Sequence, residues 1–172
     1  MEEGKFKTIE LFFCFRTFEH SSYGRGKGVW MFSLSTRTLL PSKHKISKEK
    51  YQLMSIVDTT VQGLTYQLVL VYASKGCAYW ELVVDLKKLL LSNITVIVTG
   101  DFNFDRRESN ALTCFLGAKM LQQIVKWPTH NKGRTIEHIY VSKNARVQVT
   151  RHSPYYSDHD ALLIEFEHFP WS

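Results

Sequence analysis

The sequence predicts a layered α/β fold in a single domain of residues 1–172, built on mainly mixed or antiparallel sheets. Short apolar runs of strand length alternate with segments of helical periodicity, and polar turns separate them. A chain of 172 residues is long enough to bury a substantial core. The hydrophobic fraction of 44% is ordinary for a globular protein, so a disordered chain is not the expectation.

The first half of the chain predicts strands joined by turns. Glycines in "YGRGKGVWMFSL" punctuate a turn that leads into a strand at about residues 29–34. Residues 36–50 form a polar, basic segment that predicts a connection. Two extended runs, residues 51–61 and 64–74, flank Gln62-Gly63 and predict a tight hairpin.

Helical periodicity first appears in "CAYWELVVDLKKLLL", residues 77–91. Apolar residues at helical spacing, among them Trp80, Val83 and Val84, predict an amphipathic helix. "TVIVTG", residues 95–100, predicts a short strand that is buried on both faces. Two further helices and then three strands are predicted at residues 110–116, 119–125, 135–142, 146–153 and 161–169.

The net charge of +6 is unevenly spread, with a basic excess in residues 1–50 and 101–150. Basic segments around a site that contains acids suit a polyanionic substrate that approaches bound cations. A solvated basic surface would have the same composition, and charge alone does not separate the two interpretations.

Three cysteines, Cys14, Cys77 and Cys114, lie far apart in the sequence. Their odd number and wide spacing predict reduced, buried thiols in an intracellular protein, nuclear or cytoplasmic. No apolar run is long enough to cross a bilayer, and the amino terminus does not resemble a secretory signal. We therefore expect no membrane partner.

Three polar clusters lie at the ends of predicted strands. They comprise Asp101 and Asn103; Thr129, Arg134 and Glu137; and Ser157, Asp158, His159 and Asp160. Each has an ordinary alternative when taken alone. Gly-Asp-X-Asn is a common turn composition, Ser-Asp-His-Asp suits a capping turn, and Glu137 could lie on the exposed face of a strand.

Taken together, the clusters supply what the hydrolysis of a phosphodiester requires: a hard divalent cation, a positioned water and stabilisation of the transition-state charge. Asp158 is the predicted metal ligand. Asp101 would orient or deprotonate the water, and Asn103 would hold it or donate to a phosphate oxygen. His159 would bind the scissile phosphate or act as a base, with Glu137 fixing its tautomer.

Arg106 and Arg107 follow the GDFN turn and are placed to contact a nucleic-acid backbone. A solvated loop is the equal alternative for this pair. The seven histidines also raise the question of a zinc site. Its candidate ligands would be His130, His138, His152 and His159, but their spacing matches no familiar zinc-ligand pattern.

The order and separations of "VYAS", "GDFN", "PTH…GRTIEHIYVS" and "YSDHDAL" resemble the endonuclease/exonuclease/phosphatase superfamily, over about residues 23–166. Within this superfamily, its motifs most resemble those of endonuclease domains of mobile elements, such as LINE-type retrotransposons and Helitrons. The resemblance implies a four-layer α/β sandwich, with two central sheets flanked by helices. It also implies a metal-dependent endonuclease that cleaves DNA with Mg²⁺ or Mn²⁺.

The resemblance also assigns roles to particular positions. The positions that match the family's motifs are Tyr72, Asp101, Asn103, Ser157, Asp158 and His159. It implies that Tyr72 contacts the phosphate, that Ser157 lies at the substrate, and that His159 is the catalytic histidine. Glu137 stands where the family usually has aspartate.

Ahead of residue 23, no segment matches the two strands with which the family usually begins, the second of which ends in a metal-binding glutamate. Carboxylates available in this segment are Glu2, Glu3, Glu10 and Glu19. We therefore keep two alternatives to the nuclease. One is a catalytically impaired module of the same fold that binds nucleic acid or protein, and the other is a phosphatase of the superfamily. The sequence leaves the oligomeric state and the target specificity open.

Overall fold

A computed structural model of the protein describes residues 10–15, 18–20, 23–26, 29–33, 44–59, 65–153, 155 and 157–166. The strands are β1 (Glu10–Phe15), β2 (Phe18–His20), β3 (Tyr23–Gly26), β4 (Val29–Ser33), β5 (His44–Ser47), β6 (Tyr51–Thr59), β7 (Thr65–Ala73), β8 (Thr95–Asp101), β9 (Leu121–Gln123), β10 (Glu137–Ser142), β11 (Val147–His152) and β12 (Ala161–Phe166). The helices are α1 (Tyr79–Leu89), between β7 and β8, and α2 (Ala111–Ala118), between β8 and β9. Neither of these helices is long and apolar enough to cross a membrane.

Two sheets organise the fold. One has six strands in the order β5-β6-β7-β8-β10-β9, and the other has four in the order β11-β12-β1-β4, while β2 and β3 form a separate ribbon. Strands β7 and β8 run parallel and are connected through α1, whereas β8 and β10 are antiparallel. The prediction of a mixed α/β fold is confirmed.

The core lies in two layers, one on each face of the six-stranded sheet. Between the two sheets, Leu162 and Ile164 of β12 belong to one cluster with Leu68, Ile97 and Ile139. On the other face, residues of α1 and α2 form the second cluster with the sheet; they include Leu82, Leu86, Leu112 and Leu116. The described residues therefore supply three of the four predicted layers. Strand β8 is buried at every position, as its unbroken apolar run predicted.

Strand β1 corrects the expectation about the amino-terminal region. It lies within the four-stranded sheet and pairs antiparallel with β12 on one side and β4 on the other. Strands therefore do precede residue 23, contrary to the sequence interpretation. Glu10 lies at the start of β1 and Glu19 lies in β2. Their side chains, like Glu2 and Glu3 as a whole, fall outside the described part of the structure.

Two other segments differ from their predictions. Residues 119–125, predicted as a short helix, contain strand β9, which pairs with the edge of β10. Helix α2 ends just before Met120, whose φ of 58° is left-handed and turns the chain toward the sheet. The basic connection predicted at residues 36–50 contains strand β5, a mostly exposed edge strand paired with β6.

The face that α1 buries also differs from the expected one. Val83 is buried together with Leu82 and Leu86, but Trp80 and Val84 are exposed. The tight turn predicted at Gln62-Gly63 lies outside the described residues, although β6 and β7 on either side of it pair antiparallel as expected.

The cysteine prediction holds for one of the two thiols that the structure describes. Cys77 is buried, but Cys114 is exposed on α2. Cys114 lies on the opposite side of this helix from its buried residues, Leu112 and Leu116. The side chain of Cys14 lies outside the described part of the structure.

Candidate active site

Two buried carboxylates lie side by side at the ends of β8 and β10. Asp101 and Glu137 are direct partners in the antiparallel register of these strands, and the two residues are 6% and 0% exposed. Directly opposed residues project from the same face of a sheet, so the two carboxylates lie close together. Burial of two acidic groups at such short range needs a compensating positive charge or a proton.

His159 comes to the same place from the turn before β12. Its Nδ1 atom is hydrogen-bonded to Oε1 of Glu137. Potential ligand atoms of Asp101, Glu137 and His159 all lie within 4.8 Å of one another. Three segments that are separate in sequence thus converge, as the motifs predicted.

Asn103 fixes the position of Asp101. Its backbone N–H donates to Oδ1 of Asp101 at 2.9 Å. Its side-chain Nδ2 donates to Oδ2 of the same carboxylate at 3.1 Å and to the carbonyl of Ala73 at 2.8 Å. The φ of Asn103 is 54°, a left-handed conformation that asparagine tolerates better than most residues. Since both amide hydrogens are engaged, Oδ1 is the atom of the Asn103 amide that can still hold a water.

Electrostatics set the protonation of the two central groups. Burial, together with the charges of Glu137 and Asp158, raises the pKa of Asp101 to about 7, although His159 and the Asn103 N–H oppose the shift. Burial alone would lower the pKa of His159. The hydrogen bond and charge of Glu137, reinforced by Asp101 and Asp158, instead raise this pKa above its ordinary value. The surroundings therefore favour a protonated imidazole beside an aspartate that titrates near neutral pH.

Tyr72 lies next to Asp101 on the neighbouring strand, where the two are partners in the parallel register of β7 and β8. Its side chain is half-buried. Burial and the charge of Asp101 raise the pKa of the Tyr72 hydroxyl, so this group remains a hydrogen-bond donor at neutral pH. The position agrees with the predicted contact to a phosphate, and that role stays a prediction.

Asp158, the predicted metal ligand, borders the site from the turn that carries His159. Its side chain is 54% exposed. Oδ1 lies 3.7 Å from Nε2 of His159, and Oδ2 lies 3.3 Å from Nε2 of His130. His130, Asp158 and His159 form a second group whose ligand atoms lie within 4.8 Å of one another. His130 stands in "PTH" at the start of the second polar cluster, but the sequence motifs assign it no role in this site.

Thr129 connects this turn to β10. The Thr129 side chain is fully buried, and its Oγ1 accepts hydrogen bonds of 3.1 Å from the backbone N–H groups of Ile136 and Glu137. Ser157, predicted to contact substrate, accepts a 3.1 Å hydrogen bond from the N–H of His159 through its Oγ. Both hydroxyl groups stabilise the backbone segments that carry the site residues Glu137 and His159.

The predicted arginines differ in what they contact. Arg107 is tied to Asp105, with its Nε 2.7 Å from Oδ1. Hydrogen bonds from Arg107 and from the N–H of Thr135, which outweigh burial, lower the pKa of Asp105 to about 2. Arg134, from the second cluster, pairs with Glu108 at 3.1 Å. Arg106 is exposed on the loop after β8, where it is accessible to a polyanion.

The donor set fits a hard divalent cation. Oε2 of Glu137 is buried and has no hydrogen-bond partner among the residues that the structure describes. The second carboxylate, Asp101, is also buried, and hard divalent cations bind such oxygen atoms preferentially. A cation here would balance negative charges that His159 alone does not neutralise.

Comparisons with known proteins agree with this architecture. A model of the Endonuclease/Exonuclease/phosphatase family matches residues 10–159. Among solved structures, an endonuclease/exonuclease/phosphatase family protein from Leptotrichia buccalis C-1013-b superposes with a TM-score of 0.62 at 12% identity, over 92% of this chain and 71% of that one. The human Nocturnin catalytic domain with bound sulfate anion gives 0.54 at 16% identity, over 91% and 72%. No curated protein matches the sequence. At these identities the structural neighbours show the fold.

Proposed function

The chain belongs to the endonuclease/exonuclease/phosphatase family, and on this premise we propose that it is a divalent-metal-dependent phosphodiesterase that cleaves DNA as an endonuclease. The family includes metal-dependent nucleases and phosphatases, and its members are generally hydrolases that use divalent metals. Beyond what family membership gives, we propose DNA as the substrate and Mg²⁺ or Mn²⁺ as the metal.

One observation carries the proposal. Asp101, Glu137 and His159 come from three separate segments, and their ligand atoms lie within 4.8 Å of one another. A structural role would explain one buried polar residue at a time. It would not explain two buried acids beside an imidazole, one of them with an oxygen atom that accepts no hydrogen bond from the described residues.

Asp158 and one of the two buried carboxylates would together bind the Mg²⁺ or Mn²⁺ ion. When bound, the ion would polarise a phosphate oxygen and offset the charge of the transition state. Asp101 would take a proton from the attacking water, because a pKa of about 7 leaves much of this carboxyl ionised at neutral pH. Asn103 would hold that water through Oδ1, since its Nδ2 is engaged by Asp101 and Ala73.

His159 would stabilise the phosphate. Glu137 holds Nδ1, so a protonated ring still has Nε2–H available for a phosphate oxygen. Glu137 would act through His159 by fixing its orientation and its charge.

Charge supports DNA as the substrate. The net charge of +6 favours a polyanion, and Arg106 is exposed on the loop next to Asn103. Arg107 would contribute mainly through its pairing with Asp105. The likeness to endonuclease domains of mobile elements rests on the sequence motifs and adds the expectation of a nicking activity.

The test is a nicking assay on supercoiled plasmid with Mg²⁺ or Mn²⁺. We expect Asp101→Asn and His159→Ala to lower the nicking rate at least about 100-fold each. His44→Ala is the matched control, because His44 is an exposed histidine on edge strand β5, and it should nick like the wild type. Equal nicking by all variants would contradict the proposal. DNA binding without nicking would indicate the impaired module, and hydrolysis of small phosphate monoesters alone would indicate a phosphatase.

A further inference from the structure

We propose that His130 is a positioning residue that holds the carboxylate of Asp158 at the site, an inference that rests on the proposed function. His130 and His159 face each other in an isolated antiparallel bridge. The N–H of Asn131 donates to the carbonyl of Asp158 at 3.0 Å, and the N–H of Asp160 donates to the carbonyl of Thr129 at 2.8 Å. The backbone of His130 is thereby fixed to the turn that carries Asp158.

The side chain of His130 completes this arrangement. Its Nε2 lies 3.3 Å from Oδ2 of Asp158, and its ring packs edge-on against His159, with ring centroids 4.9 Å apart. Asp158 itself is largely exposed, and an exposed carboxylate without a partner samples several rotamers. Contact with an imidazole that is only 12% exposed restricts Asp158 to the rotamer that faces the site.

The backbone also selects the tautomer of His130. Nδ1 of His130 accepts a 3.1 Å hydrogen bond from the N–H of Lys132. A neutral imidazole that accepts at Nδ1 carries its proton on Nε2, and here that nitrogen faces a carboxylate oxygen of Asp158. A transition-metal site shared by His130, Asp158 and His159 is disfavoured, although their ligand atoms are close, because Nε2 would have to lose this proton.

Two substitutions separate positioning from a role in the turn. In His130→Asn, the side-chain oxygen can replace Nδ1 as the acceptor for Lys132, but the shorter amide does not reach Asp158. In His130→Gln, the longer amide can reach the Asp158 carboxylate that Nε2 approaches to 3.3 Å, but the acceptor for Lys132 is lost. If His130 positions Asp158, glutamine should replace it better than asparagine does. If His130 only stabilises the turn, asparagine should replace it better than glutamine does.

The measurement is the affinity of the full chain for Mn²⁺, followed by electron paramagnetic resonance, with thermal unfolding measured in parallel. We expect His130→Asn to weaken Mn²⁺ binding about 10- to 100-fold, and His130→Gln to remain within about threefold of the wild type. The ¹⁵N chemical shifts of the wild-type His130 ring supply a second test that needs no variant. They should place the proton on Nε2.

Three results would overturn the inference: asparagine substituting better than glutamine, both variants binding Mn²⁺ like the wild type, or a His130 proton on Nδ1. A wild type that binds no Mn²⁺ would overturn it as well. Failure of the proposed function would give a different combination of results. A protein that shows the expected order of Mn²⁺ affinities but nicks no plasmid would contradict the nuclease while leaving the role of His130 intact.

Discussion

Glu137, fully buried on β10, is hydrogen-bonded through Oε1 to Nδ1 of His159 on the turn before β12. The side chain is one methylene longer than the aspartate that the family usually has here. Thr129 holds the backbone N–H of Glu137, and the antiparallel register holds it opposite Asp101. The longer carboxylate therefore meets the imidazole from a fixed strand position.

We expect Glu137→Gln to lower kcat for plasmid nicking about 100-fold, with a smaller effect on KM. Glutamine keeps the shape but removes the charge that raises the pKa of His159. The measurement combines steady-state kinetics with an NMR titration of His159, whose pKa should fall in the variant. A His159 pKa equal to that of the wild type would contradict the role given to Glu137.

The pH dependence of stability should reveal Asp101. The pKa of Asp101 is raised from 3.8 to about 7, so the native state binds this proton more tightly than the unfolded chain does. The contribution of Asp101 to the unfolding free energy is therefore fully present below pH 3.8 and is lost as pH rises toward 7. Urea unfolding at a series of pH values, in the presence of a chelator, measures this contribution. The difference between wild type and Asp101→Asn should change over this pH range, and a constant difference would count against the shift.

We expect Gly100→Ala to destabilise the protein by about 3 kcal/mol or more. Gly100 has a φ of +149°, and a Cβ atom there would lie 1.8 Å from the carbonyl oxygen of Val71. Relief of that clash requires separation of β7 from β8 next to Asp101. Gly117→Ala on α2 is the matched control, because nothing lies within 4 Å of its added Cβ. This control should be neutral or stabilising in urea unfolding, and equal losses in both variants would refute the explanation.

Asp105 should stabilise the loop that leads from the GDFN turn. Its carboxylate accepts hydrogen bonds from Arg107 and from the N–H of Thr135, just before β10. Asp105→Asn is expected to cost about 1–3 kcal/mol. Because the pKa of Asp105 is lowered from 3.8 to about 2, its contribution is present above pH 3.8 and is lost as pH falls toward 2. Acid unfolding of wild type and variant should converge, and a loss independent of pH would contradict this origin.

Much of the fold could be predicted where local pattern and burial agree. Strand β8 is covered on both faces, so its sequence is an unbroken apolar run. Strand β9 could not be predicted in this way, because its three residues take their conformation from pairing with β10. The exposure of Trp80 on α1 was missed because helical spacing identifies an apolar stripe without saying which part of it meets the sheet.

The same distinction applies to the site residues: those in sequence motifs were predicted, and those whose place depends on contacts between segments were not. Asp101, Asn103, Glu137, Asp158 and His159 belong to motifs whose order was visible in the sequence, and the structure brings them to one end of the sheet. His130 was missed because its place depends on a bridge to His159, a contact between segments that the sequence does not record. The pairing of Arg107 with Asp105 likewise depends on the conformation of the loop after β8.

The most direct test of the site is to locate Mn²⁺ by anomalous scattering in crystals of the full chain. We expect an ion whose ligands include Asp158 and at least one of the buried carboxylates, Asp101 and Glu137. Loss of this ion in Asp101→Asn crystals grown in the same way, or its displacement there, would strengthen the assignment. An ion bound only at exposed acidic residues away from β8 and β10, or no ion at saturating Mn²⁺, would contradict the central claim that these segments build a metal-dependent phosphodiesterase site.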